Sequence, residues 1–145
     1  MSRRSVLTLL LVSVAIAGCG GSSTLSTSQY ETKGAAALTP LLNALNGLKG
    51  NPANAAGWTT VQVASQGASA TFAKLNPASN LSKLNTQLSS SLSDMGAAAG
   101  KLSGDITRRN INAAQSDLAG YKSALVKYAG AINQLGAKGV KFVGS

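Results

Sequence analysis

The sequence predicts an all-α fold, an antiparallel up-down four-helix bundle, from three observations. Four stretches place apolar residues at the mean spacing of about 3.5 that lines one stripe of a helix. No stretch alternates apolar and polar residues with the period of two that a half-buried strand requires. Three short connections between helices of similar length favour antiparallel neighbours. The chain has 145 residues, enough for one domain with a real core.

The N-terminal stretch precedes the bundle and has a different character. Arg3 and Arg4 form a positive head, and Val6 to Ala17 is almost unbroken apolar sequence. It is short for a bilayer span and reads as a cleaved export signal. The two arginines fit the general secretory route; Val6 and Thr8 stand where a twin-arginine signal would carry a bulky Phe and a basic residue. The signal ends in Ile16-Ala17-Gly18-Cys19, and Cys19 is the only cysteine. This run resembles the lipobox of bacterial lipoproteins, in which an aliphatic residue and two small ones precede a cysteine. The resemblance implies cleavage between Gly18 and Cys19 and diacylglycerol modification of Cys19. It divides the chain into a signal over 1–18, the lipidated cysteine and tether over 19–25, a bundle over 26–137 and a tail over 138–145. Extended, the tether from Cys19 to Ser26 reaches at most about 25 Å, which keeps the folded part close to the bilayer.

The first helix opens at Leu25-Ser26-Thr27-Ser28-Gln29-Tyr30. Ser26 as N-cap with Gln29 three residues on makes a capping box, and Leu25 against Tyr30 a hydrophobic staple. Leu38, Leu41, Leu42, Leu45 and Leu48 follow on one face. Pro40 is expected to kink this helix or to restart it with Thr39 as cap, and Gly47 and Gly50 offer the stop. Asn51-Pro52 opens the second helix, with the proline at its first position. Trp58, Val61, Ser65, Ala68, Phe72 and Leu75 form its ladder, and Asn76-Pro77 ends it. The third ladder is Leu81, Leu84, Leu88, Leu92, Met95, Ala99, Leu102 and Ile106. Asp105 can pair with Arg109 at i+4, so this helix is placed to end near Arg109 with Asn110 capping the next; an end at Gly104 with Asp105 as cap is the competing placement. Gly96, Gly100 and Gly104 fall at four-residue steps, which suits close approach of a neighbouring helix and equally a weakly helical segment. The fourth ladder is Ile111, Ala114, Leu118, Tyr121, Leu125, Tyr128, Ile132 and Leu135, closed by Gly136 and Gly139. Val140-Lys141-Phe142-Val143 is expected to pack back on the bundle.

Thirteen basic residues face four acidic ones, for a formal charge of +9, and there is no histidine. Arg3 and Arg4 leave with the signal, and the remainder stays basic. Such a surface favours anionic lipid or a cell-wall polymer, and the export address argues against nucleic acid. Hydrolytic triads lack their histidine and a free thiol. Glu31, Asp94, Asp105 and Asp117 are expected to stand singly rather than as the paired carboxylates of metal bundles or glycoside hydrolysis. No catalytic, metal or cofactor site is expected, and the aromatic residues on the ladders read as core. Lys33, Lys74, Lys83, Lys138 and Lys141 are expected at one pole, the one that carries the tether. There they can face an anionic leaflet, each worth about 1 kcal/mol, or serve the helix ends and the solvent.

From Leu25 onward the chain resembles small four-helix lipoproteins and secreted proteins of actinobacterial type. The resemblance rests on Leu25-Ser26 with Tyr30, on Leu75-Asn76-Pro77 midway and on Leu135-Gly136 near the end. Many of those proteins carry cysteines near these points, and this chain does not. The resemblance implies the fold and a surface location, with no activity or functional residues. The expected function is therefore a membrane-anchored, non-enzymatic envelope lipoprotein held by acyl chains on Cys19. It would bind an envelope protein or an anionic partner, on the outer face of the cell membrane or, in a Gram-negative cell, at the outer membrane. The alternatives are a carrier of a lipid or apolar ligand, and a membrane-active or immunity-type lipoprotein.

Overall fold

The computed structural model describes residues 23–142. The export signal over 1–18 with its Gly18–Cys19 cleavage point, the lipidation of Cys19, tether residues 20–22, and Val143 to Ser145 of the tail lie outside the described residues. Four helices make up the fold: α1 (Thr27–Leu48), α2 (Ala55–Lys74), α3 (Ser79–Thr107) and α4 (Ile111–Ala137). No strand occurs among the described residues. None of these helices is long and apolar enough to cross a membrane.

The N-terminus of α1 is built as its sequence dictates. The Gln29 N–H donates to Ser26 Oγ at 3.2 Å, and the Ser26 N–H donates to Gln29 Oε1 at 3.0 Å, so two otherwise open donors are satisfied. Leu25 packs against the core that includes Tyr30. The helix runs through Pro40 without restarting. Thr39 does not cap; its hydroxyl donates back to the Ala35 carbonyl at 2.9 Å. The proline ring is exposed, so the carbonyl that it deprives of a partner can take water.

The start of α2 differs from expectation. Asn51 to Asn54 form a turn, and the helix begins at Ala55 rather than at Pro52. Pro52 keeps a role, because its carbonyl accepts the Trp58 indole N–H at 2.8 Å and fixes the loop against the core. The α3–α4 turn lies at Arg108 to Asn110, the first of the two placements. Arg109 adopts φ 57°, its N–H bonds the Ile106 carbonyl, and the Asn110 N–H bonds the Asp105 carbonyl. That is a Schellman closure with arginine where glycine is usual. The left-handed residue redirects the chain, and Asp105 pairs with Arg108 at 2.7 Å instead of Arg109. Asn110 then caps α4 by accepting the Ala113 N–H at 3.3 Å. The same closure recurs after α4 around Gly139, φ 84°, where the Val140 N–H returns to the Leu135 carbonyl.

Close backbone pairing joins α1 to α2, α2 to α3 and α3 to α4, and none joins α1 to α4. Along α2 and α3, Thr59 meets Ser103, Ser69 meets Ser89, and the Phe72 carbonyl meets Asn85, so these two helices run antiparallel. The approach is close enough that a Cβ on Gly96 would stand 3.3 Å from the Gln62 carbonyl oxygen and 2.9 Å from Gln66 Cγ. A Cβ on Gly100 would meet the Gln62 side chain, whereas the nearest atoms to one on Gly104 are those of Arg108, the residue that caps the same helix. Of the two readings of these glycines, close approach therefore holds for Gly96 and Gly100, and all three lie inside an unbroken helix.

The ladders of α2 and α3 are buried nearly as expected, from Trp58 to Phe72 and from Leu81 to Leu102. That of α4 is corrected. Ile111 is 70% exposed and Leu125 38%, while Ala124 and Ala131 are buried. Small residues let α4 lie close on α3, so its buried stripe turns toward Tyr121, Ala124, Ala131 and Leu135 and leaves the larger neighbours at the edge.

Candidate functional site

Two regions, one at each end of the bundle, gather the residues that chemistry can use. The first is the end at which the described chain begins. The Leu25 N–H donates to the Asn76 carbonyl at 2.8 Å, which sets the start of α1 beside the α2–α3 connection. The tail docks there as well. Phe142 packs on Tyr30 and Phe72 with ring centroids 5.7 and 5.8 Å away, and the Lys141 N–H donates to Glu31 Oε1 at 2.6 Å. Beneath these rings the Tyr30 hydroxyl donates to Asn85 Oδ1 at 3.0 Å, and Asn85 Nδ2 donates to the Phe72 carbonyl at 2.9 Å. Three helices are thereby tied through one buried amide, and burial pushes the Tyr30 hydroxyl up to about 12.

Of the five lysines expected at this pole, Lys33 and Lys74 line one surface depression of about 610 Å³, floored by Ala36, Ala37, Ala70 and Leu75. Lys141 is carried by the docked tail, with the Glu31 carboxylate beside its backbone. Lys83 lies in the second turn of α3, and Lys138 is the C-cap residue of α4, at the same end of the bundle. Neither shares the depression. All five side chains are exposed. Lys74 also lies in the last turn of α2, where a cation complements the helix dipole.

The second region is the opposite end, below the α3–α4 turn. An apolar groove of about 540 Å³ opens there between Pro52, Trp58, Leu102, Ile106, Ile111 and Leu118. Trp58 packs edge-on against Tyr121 with centroids 5.1 Å apart, which closes the groove toward the core. Asp105 and Arg109 are the ionisable groups in its lining.

Asp105 also brings a correction. The four acids were expected to stand singly, but the Asp105 and Asp117 carboxyls interact across α3 and α4, close enough to share a proton once one of them takes it up. Asp105 lies four residues before Arg109 and Asp117 seven residues after Asn110, and folding α4 back along α3 brings them together. The Arg108 hydrogen bond holds Asp105 below the usual carboxylate range, helped by the bond to Asp117 and opposed by burial. The Asp105 carboxyl, followed by desolvation, raises Asp117, and Lys101 and Arg108 pull it down less strongly. Because Arg108 commits Asp105 to the charged form, Asp117 is the partner that takes up a proton first as pH falls.

Among the described residues no group of three or more His, Cys, Asp or Glu side chains could hold a metal ion. The hydroxyls of Ser65 and Tyr121 are buried without a hydrogen-bond partner in the protein. Burial lifts the Tyr121 phenol to about 12, with nearby Tyr128 adding to the shift. No family model, curated protein or solved structure matches the chain.

Proposed function

We propose that this chain is an exported lipoprotein, anchored by acyl groups on Cys19, whose bundle is a non-enzymatic binding module for an envelope protein or an anionic envelope surface. The observation that carries the proposal is the convergence at one end of the bundle. Leu25 at the start of α1, the Lys33–Lys74 depression and the docked tail with Lys141 share that end. A short tether from Cys19 would bring this basic end to the membrane. An acyl anchor and a basic patch hold a protein at an anionic leaflet better than either alone. The lipobox resemblance supplies the anchor, and the exposure of all five lysines leaves them able to meet headgroups.

In-cell crosslinking and pull-down of the full-length protein, with Cys19→Ala as matched control, tests the proposal. A protein partner captured only with the parent chain is the expected result. Equal capture by the control, or no enrichment of any protein, counts against a tethered binding module.

The apolar groove favours a second reading, a carrier of an apolar ligand. The interior between the helices is filled by Tyr30, Leu38, Leu41, Phe72, Leu88 and Met95, all at most 1% exposed. A ligand would therefore occupy the open end of the bundle rather than its centre.

A further inference from the structure

We infer that the groove below the α3–α4 turn binds a long-chain fatty acid, its alkyl chain along Trp58, Ile106, Ile111 and Leu118 and its carboxylate on Arg109. The inference names a ligand class for the carrier reading and does not depend on acylation of Cys19.

The lining is apolar apart from a short polar rim, and its volume of about 540 Å³ falls within the ~300–1,000 Å³ range of small-molecule sites. Charge selects the head of the ligand. Asp105 is already committed to Arg108 and to the Asp117 carboxyl. Arg109 makes no ion pair among the described residues, so the groove carries one uncompensated positive charge at its rim. A planar guanidinium presents a fork that fits a carboxylate with two parallel hydrogen bonds, and a single cation matches a singly charged head. Asn110 and Ile111 in the lining are the start of α4, whose first N–H groups lack intrahelical partners and add to the attraction for an anion.

Two further observations mark this end of the molecule. Ile111 stands 70% exposed beside the groove, an apolar side chain left for a tail to cover. Arg109 holds a left-handed backbone that glycine would adopt at lower cost, so its side chain is kept against local preference. A tether starting at Cys19 ends short of the groove. The 29 residues of α3 separate the two ends of the bundle by about 43 Å, beyond the ~25 Å reach of a tether starting at Cys19. The tail is docked at the far end through Phe142.

Trp58, the only tryptophan, lies in the lining and reports occupancy directly. The test titrates the chain over residues 19–145 carrying Cys19→Ala, which lacks signal and acyl groups and retains all four helices, with ω-bromododecanoate and follows quenching of Trp58 by the heavy atom. Saturable quenching in the micromolar range is expected, with the neutral alcohol of equal length competing about tenfold less well. Arg109→Gly relieves the left-handed strain and is expected to melt at or above the parent, yet to bind about tenfold more weakly. Ile111→Glu changes an exposed first-turn residue, keeps the fold and repels the ligand. Absence of saturable quenching would overturn the inference. So would equal competition by acid and alcohol, or unchanged binding by both folded variants.

Discussion

Replacing Gly96 by alanine measures how tightly α2 and α3 approach. Inside a helix the change alone favours alanine by about 1 kcal/mol. Against that stands the new methyl, 2.9 Å from Gln66 Cγ, 3.3 Å from the Gln62 carbonyl oxygen and 3.4 Å from the Gln66 nitrogen. Two of the three atoms are backbone, so a change of side-chain rotamer does not relieve them, and α2 must move. Movement is resisted on both sides, where Ser103 bonds Thr59 and the Ala55 carbonyl, and Ser69 bonds Ser89. Overpacking of this kind costs about 1–3 kcal/mol, so Gly96→Ala should lose about 1 kcal/mol net. Gly67 on α2 is the internal control, because a Cβ there meets nothing within 4 Å. Gly67→Ala should gain about 1 kcal/mol. Urea denaturation followed by circular dichroism resolves the pair, whose midpoints should separate by about 1 M at an m-value near 2 kcal/mol/M. Equal stabilisation by both alanines would refute the close packing of α2 on α3.

The acid pair predicts a pH signature. The raised Asp117 favours folding when protonated, and that contribution is lost as pH rises through its folded pKa; the lowered Asp105 contributes above its unfolded pKa and loses its effect as pH falls. Asp117→Asn should therefore raise the melting temperature at pH 7 and lose that advantage below about pH 4, where an ordinary aspartate is protonated. An equal gain at both pH values would contradict the pairing. The two buried phenols should respond in opposite senses. Tyr30→Phe leaves buried Asn85 without its donor and should cost about 1–2 kcal/mol, whereas Tyr121→Phe removes an unpaired hydroxyl and should be neutral or stabilising by up to about 1 kcal/mol. Chemical denaturation of both variants checks the contrast.

Much of the fold was legible because its signals are local. The Ser26–Gln29 capping box, the Asn110 cap and the ladders of α2 and α3 depend on spacing within one turn or one face, and the structure has them where the spacing puts them. The start of α2 was misplaced because Pro52 suits a first helical position and a turn equally well. The indole of Trp58, six residues on, holds its carbonyl in the turn. On α4 the large apolar residues Ile111 and Leu125 mark the wrong edge of the stripe, because Ala124 and Ala131 are buried beside Tyr121 and Leu135, and small side chains say little about which face is covered. The Asp105–Asp117 pair forms only when two helices fold back on each other. The acids stand four and seven residues from the turn, a spacing that does not mark them as partners. The groove had no trace of its own, since it exists where the ends of three helices and the Pro52 loop leave space between them.

The anchor at Cys19 is the most direct point to test, because the orientation proposed for the basic end follows from it. Mass spectrometry of the N-terminal peptide from protein extracted from the cell envelope reads it in one spectrum. The account predicts a chain that begins at Cys19 and carries diacylglycerol on its sulfur. An unmodified Cys19, or a chain cut elsewhere, would contradict it.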